Sequence, residues 1–174
     1  NCFKFMKKVE VKKVINFEFI DLGLSVKWAN MNVGSDKMEE YGKYFSWDEV
    51  IGDKQVDWEE YWNENDLDLG IDCRMPSEEE IDELIKKCDW EWKEESGVRG
   101  FKVTSKFNKS WIFLPAGGCK NVDGVHFEGI GGYYLSKTMN DGKLRGCIEL
   151  VFSRIFKGKK LAGTQYKRLV RLVK

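Results

Sequence analysis

The chain has 174 residues, of which 42% are hydrophobic and 33% charged, and only two are proline. This length and balance fit one globular domain, residues 1–174, able to bury a core, and they argue against a disordered or low-complexity chain. Its 29 basic residues offset 29 acidic ones, so net charge exerts no global pull toward nucleic acid or an anionic membrane, and no apolar run approaches the ~20 residues that span a bilayer.

The even balance hides an asymmetry. Acidic residues dominate between Asp36 and Glu95, whereas no acid follows Glu149 and the remainder carries only Arg and Lys. Two readings follow: a positive edge on the fold, or solvated strand faces whose cations pair with the acidic middle of the same chain. Five cysteines, with no CxxC and no Cys/His cluster, indicate neither a disulfide framework nor a zinc site, so free buried thiols are expected.

The first twenty residues alternate apolar and basic positions and lack the continuous apolar centre of a signal peptide. Val9 to Ile15 and Phe17 to Ile20 read as strands, with lysines placed as an edge strand would place them. Val26, Trp28 and Ala29 follow as inward candidates, and Tyr44, Phe45 and Trp47 read as a short aromatic strand belonging to the core. The acidic segment Asp48 to Asp72 invites a calcium reading through Asp66, Asp68 and Asp72. Its spacing fails the EF-hand pattern, because aligning Gly70 with the invariant glycine puts Leu67 and Leu69 at ligand positions. No cofactor is expected, a lectin-type calcium loop being the alternative.

Ser77 to Cys88 is the clearest helix. Ser77 and Glu80 have capping-box spacing, and Ile81, Leu84, Ile85 and Cys88 share one face at i, i+3, i+4 and i+7. Ser77→Ala should cost about 1 kcal/mol in a denaturation measurement. Asp89 to Glu94 alternates Trp90 and Trp92 with charge, Ser96 and Gly97 turn the chain, and Phe101, Val103 and Trp111 to Leu114 continue a meander. A stretch dense in glycine, Gly117 to Gly132, then reads as a long loop packed tightly against the core. Its lone His126 has no nucleophile partner in sequence. Leu144 to Arg154 is a further strand with Ile148, Leu150 and Phe152 toward the core, leaving Glu149, Val151 and Ser153 outward. Lys157 to Gly163 reads as a basic turn into a last strand, Arg168 to Val173.

The ordered stretches IDLGLSVKWANMNVG (Ile20 to Gly34), EEYGKYFSW (Glu39 to Trp47), CRMPSEEEIDELIKKCDWEW (Cys73 to Trp92), FLPAGG (Phe113 to Gly118) and GGYYLS (Gly131 to Ser136) resemble the Fibrobacter succinogenes major paralogous domain family of gut Bacteroidetes and their phages. The resemblance covers about residues 18–174. It implies an α+β, C-type-lectin-like domain of short antiparallel strands with one helix (77–88) and adjacent N- and C-terminal strands, distantly similar to formylglycine-generating enzymes and to the variable proteins of diversity-generating retroelements. Arg171 matches an arginine common in that pattern. The chain departs from it at Met31, where relatives often carry a cysteine, at Leu135 and Lys137, and at Lys167 and Arg168.

The resemblance, with the lack of a nucleophile, base or metal constellation, implies a non-enzymatic recognition or adhesion module. It would be displayed outside the cell, on a phage virion or a bacterial surface, and would contact a host-surface glycan or protein, not nucleic acid. The expected contact patch joins Arg145, Glu149, Ser153, Arg154, Lys157, Lys160, Gln165 and Tyr166, since arginine and tyrosine combine hydrogen bonding with flat contact area. The alternatives are a structural or decoration subunit contacting neighbouring subunits of an assembly, and a formylglycine-generating type of enzyme, for which Cys119 and Cys147 are the only late cysteines.

Overall fold

The computed structural model describes residues 13–53, 56–140 and 146–174. The described chain opens with two short paired strands, β1 (Phe19–Ile20) and β2 (Trp28–Ala29). After several 3-10 turns comes the single α-helix among the described residues, α1 (Glu78–Lys87), followed by β3 (Cys88–Glu95), β4 (Val98–Ser105) and β5 (Trp111–Pro115). A small hairpin of β6 (Cys119–Asn121) and β7 (Gly124–His126) leads to β8 (Gly131–Met139), β9 (Cys147–Ser153) and β10 (Phe156–Ala162). Strands pair antiparallel in the orders β1-β2, β3-β4-β5, β6-β7 and β10-β9-β8.

α1 starts where its sequence says it should. Ser77 Oγ accepts from the Glu80 N–H, Glu80 accepts from the Ser77 N–H, and Arg74 holds the same carboxylate through two contacts of 2.6 and 2.8 Å. Ile81, Leu84 and Cys88 are buried on its inner face. β3 and β4 join through Ser96 and Gly97, both at positive φ, the two-residue turn that matches strand twist.

The element around which everything packs is the C-terminal segment 167–174. On one edge the Val33 N–H donates to Val170 O and the Ala29 N–H to Leu172 O, while Phe45 and Arg168 exchange both backbone bonds. On the other edge the Leu135 N–H donates to Leu169 O, the Leu169 N–H donates to Tyr133 O, and Arg74 pairs with Val173. Pairing on both edges makes the segment a central one, and packing on both of its faces buries residues 168–173, two of them arginines. Leu169 and Val173 enter a core with Trp28, Ile81, Leu84, Phe101, Leu114, Leu150 and Phe152. Val170 and Leu172 enter a second core with Phe45, Trp58, Trp62, Leu69, Met75, Leu135 and Cys147.

Several expectations change here. The strand proposed for Val9 to Ile15 lies mostly outside the described residues, and its described part, 13–15, is not strand. β1 does not pair with the C-terminal segment: β2 stands between, through the Trp28–Val173 bridge. Trp28 and Ala29 are 1% and 0% exposed whereas Phe19 and Ile20 are half-buried, so the strand bridged to the C-terminal segment is the buried one. Of the aromatic strand only a Phe45–Arg168 bridge forms; the Glu49 carboxylate accepts from the Ser46 N–H and turns Trp47–Glu49 into a 3-10 helix. Of the expected turn Lys157 to Gly163, all but Gly163 belongs to β10, paired along its length with β9, and the turn sits at Arg154–Ile155. Alternating lysines suit such an edge strand.

The glycine-rich stretch does pack tightly, but it is not all loop. Gly118 has φ +66°, and a Cβ there would lie 1.9 Å from His126 O; at Gly132 it would lie 2.1 Å from the Phe152 ring. The first approach closes the base of the β6-β7 hairpin and the second lets the Phe152 ring of β9 lie against the β8 backbone.

The acidic middle segment is a set of 3-10 turns stitched by its own carboxylates. Asp53 accepts from Trp58 Nε1 at 2.9 Å and from the Met75 N–H at 2.7 Å, and Asp68 accepts from the Gly70 N–H at 2.8 Å. Trp58 and Trp62 anchor it in the second core. The basic C-terminal region does pair with acids of the same chain: Lys159 reaches Glu78 and Asp82 of α1 at 2.7 Å each, and Lys167 reaches Glu49 at 3.0 Å. Among the described residues no group of three or more His, Cys, Asp or Glu side chains could hold a metal ion, and no helix is long and apolar enough to cross a membrane.

Candidate functional site

Two open clefts take up part of the expected contact residues, Gln165 and Tyr166 lining one and Ser153 and Arg154 the other. The first, about 670 Å³, is lined by segments 42–46, 120–122 and 164–167, including Lys43, Tyr44, Lys120, Asn121, Gln165, Tyr166 and Lys167. The second, about 570 Å³, is lined by Trp92, Arg99, Gly129, Ile130, Ser153, Arg154 and Ile155. Both volumes fall in the range of ligand pockets.

The expected single patch therefore does not form. β10 runs for seven residues, roughly 20 Å at strand rise, and carries the 163–166 loop away from the Ser153–Arg154 turn. Lys157 and Lys160 sit on opposite faces of β10, the first 6.0 Å from the Trp90 ring and the second 5.5 Å from the Phe156 ring. Arg145 lies outside the described residues. Glu149, expected outside, is 4% exposed, and Val151 is buried as well. The inward side, Leu150 and Phe152, is as expected. The correction arises because β9 is a central strand whose second face is also covered, so one-sided alternation does not apply.

Glu149 makes a buried ion pair with Arg168, Oε2 to Nε at 2.6 Å. Arg168 Nη1 also donates to Gly163 O at 2.7 Å and to Tyr166 O. One buried guanidinium thus ties the second core to the loop that carries Gln165 and Tyr166.

The floor of the first cleft is rigid backbone. Lys120 and Lys167 exchange both main-chain hydrogen bonds, at 2.9 and 2.6 Å, while the next residue, Arg168, exchanges both of its own with Phe45. Tyr44 donates its hydroxyl to Gly117 O at 2.6 Å, and burial, reinforced by the Glu128 charge, pushes its phenol well up, so it stays a donor. Tyr166 stands edge-on to His126 with ring centroids 5.9 Å apart, and His126 Nε2 lies 2.9 Å from Asn121 Oδ1. The Lys43 ammonium sits 4.4 Å from the centre of the Tyr61 ring.

Sequence reading missed Lys43, Tyr44, Ser46, Lys120, Asn121, Val122 and Thr164 as lining residues. A signal for the hairpin was present: Asn121-Val122-Asp123-Gly124 is turn chemistry, and the Asn121 side chain accepts from the Asp123 N–H at 2.9 Å.

The described cysteines, Cys73, Cys88, Cys119 and Cys147, are free, as expected; Cys2 lies outside the described residues. Burial pushes Cys73 and Cys147 up to about 12 and Cys88 up to about 11, and it raises Cys119 too, so these thiols stay protonated at neutral pH. A reducing agent should leave the melting temperature unchanged. A fall of several degrees would reveal a bridge, since a disulfide typically contributes about 2–4 kcal/mol.

Fold and clefts together define an α+β protein of small antiparallel sheets with open surface clefts. Compared with protein-family models, curated proteins and solved structures, the chain matches none.

Proposed function

We propose that this chain is a non-enzymatic recognition module of C-type-lectin-like fold, displayed on a phage virion or a bacterial surface and contacting a host-surface glycan or protein through the first cleft. The observation that carries the reading is the construction of that cleft. Its side chains come from the 42–46 and 163–166 loops and from the β6 end of the hairpin, while its floor is main chain hydrogen-bonded on both edges of the C-terminal segment. Variable side chains on a rigid frame are what a recognition surface requires. Buried, protonated thiols and a histidine committed to Asn121 give no support to thiolate or histidine catalysis.

A second reading, a decoration subunit of a larger assembly, is favoured by the rim of the second cleft. Ile130 and Ile155 are 60% and 94% exposed there beside Arg154, a combination suited to protein contact.

Tyr166→Ala and Arg154→Ala separate the two. Tyr166→Ala should abolish retention on whichever of a panel of bacterial cells and immobilised glycans hold the parent protein, with a melting temperature shifted by less than about 2 °C. Loss of retention with Arg154→Ala alone would move the contact to the second cleft and the assembly reading. Lost stability with retained binding would remove the first cleft from consideration.

A further inference from the structure

The charged residues lining the first cleft are Lys43, Lys120 and Lys167, and no carboxylate lines it. Two of these cations are placed against their own electrostatics. Lys120 and Lys167 are direct partners in an antiparallel bridge, exchanging both main-chain hydrogen bonds. In that arrangement the two side chains leave the same face, about 5 Å apart at their Cβ atoms, and like charges so placed repel. Glu49 answers one of them, Lys167, at 3.0 Å. Lys120 has no carboxylate partner among the described residues. Lys43 is held in place by the Tyr61 ring, which leaves its positive charge uncompensated while restricting the side chain.

The rest of the lining is not what a simple anion needs. Ser46, Asn121, Thr164 and Gln165 offer hydroxyls and amides, and Tyr44 and Tyr166 offer flat rings. Amide and hydroxyl pairing with stacking faces is the chemistry that reads a sugar ring, and a cluster of ammonium groups is the chemistry that reads a carboxylate. A volume of about 670 Å³ accommodates more than one ring.

We propose that the first cleft binds an acidic saccharide, a glycan whose rings carry carboxylates, with Lys120 and Lys43 meeting the carboxylate and Tyr166 meeting a ring face. The assignment rests on the glycan form of the recognition reading above and narrows its ligand class.

The test titrates the intact chain, by nuclear magnetic resonance with backbone amides as reporters, against uronate- and sialate-bearing oligosaccharides. Three comparisons accompany it: the same sugars with carboxylates reduced to alcohols, a glutamate-rich peptide, and the Lys120→Gln variant. The expected result is perturbation of amides in 42–46, 120–122 and 164–167 by an acidic sugar, weakened by added salt. Carboxyl reduction or Lys120→Gln should weaken binding about tenfold, with Lys120→Gln leaving the melting temperature unchanged. Equal binding of the reduced sugars would overturn the acidic class while leaving a saccharide site. Equal binding of the peptide would show that the cleft reads charge on a protein. Failure of every acidic sugar, with cell retention still lost in Tyr166→Ala, would overturn this inference and leave the recognition reading standing.

Discussion

Arg171→Met should lower the unfolding free energy by about 3–5 kcal/mol. The guanidinium is 1% exposed and no carboxylate pairs with it among the described residues. Instead Nε donates to Asn32 Oδ1 at 2.8 Å, Nη1 to Ala29 O at 3.0 Å and Nη2 to Phe113 O at 2.7 Å. Asn32 in turn donates to Tyr41 O and to the Tyr134 hydroxyl, and Tyr134 donates to Pro115 O. The side chain therefore fastens the β2 region, β5 and β8 to the C-terminal segment.

Two effects oppose each other in that substitution. Methionine spares the core a buried charge: burial pushes the Arg171 pKa down to about 10, so the group is disfavoured there yet still ionised at neutral pH. Against this, three buried acceptors lose their donor, at about 1–3 kcal/mol each. The unmet acceptors outweigh the relief, because replacing a buried polar group is neutral only when its partners are replaced too. Arg171→Lys should recover only part of the loss, since one ammonium cannot reach three acceptors set around a planar fork. Urea denaturation of the parent and both variants measures this; a loss under about 1 kcal/mol for Arg171→Met would show the polar cluster to be dispensable.

Legibility in the sequence followed the range of the interaction. α1 and the β3-β4 turn were readable because Ser77 with Glu80, and Ser96 with Gly97, carry their signals within four residues. Leu150 and Phe152 were correctly placed for the same reason, a period of two within one strand. What failed was everything that depends on who lies beside a strand. Arg168 to Val173 reads as a strand, but nothing local says that it has partners on both edges, or that β2 rather than β1 lies against it. The first cleft gathers 42–46, 120–122 and 164–167, segments far apart in the chain, and only the Gln165–Tyr166 end was anticipated. Glu149 was misread because a charge in an alternating strand is by default a solvent position. Its partner Arg168 is 19 residues away, and the pairing becomes visible only when the C-terminal segment is placed beside β8, on whose other edge β9 lies.

Glu149→Ala should cost about 3–5 kcal/mol, by leaving Arg168, 6% exposed, without its counter-charge. Glu149→Gln removes the same counter-charge but should cost less than Glu149→Ala, because its amide oxygen can still accept from Arg168 Nε and it leaves no cavity. The pH dependence separates this from a simple packing defect. Burial raises the Glu149 carboxyl above the ordinary 4.5, more than the Arg168 charge and hydrogen bond pull it down. A raised folded-state value means that the folded chain holds this proton more tightly than the unfolded one. Its contribution is then fully present below 4.5 and is lost as pH rises through the folded value. Unfolding free energies measured from pH 4 to 7 should show that decline in the parent and not in Glu149→Gln; matching slopes would place Glu149 in a solvated, ordinary environment. The consequence reaches the cleft. Arg168 Nη1 also holds Gly163 O and Tyr166 O, so a guanidinium released by Glu149→Ala also releases the loop bearing Gln165 and Tyr166. Amide hydrogen exchange in 163–167 should accelerate in Glu149→Ala by more than the global loss of stability accounts for, and remain close to the parent in Glu149→Gln. Glu149 then serves the recognition surface from beneath, through Arg168, rather than as a member of it.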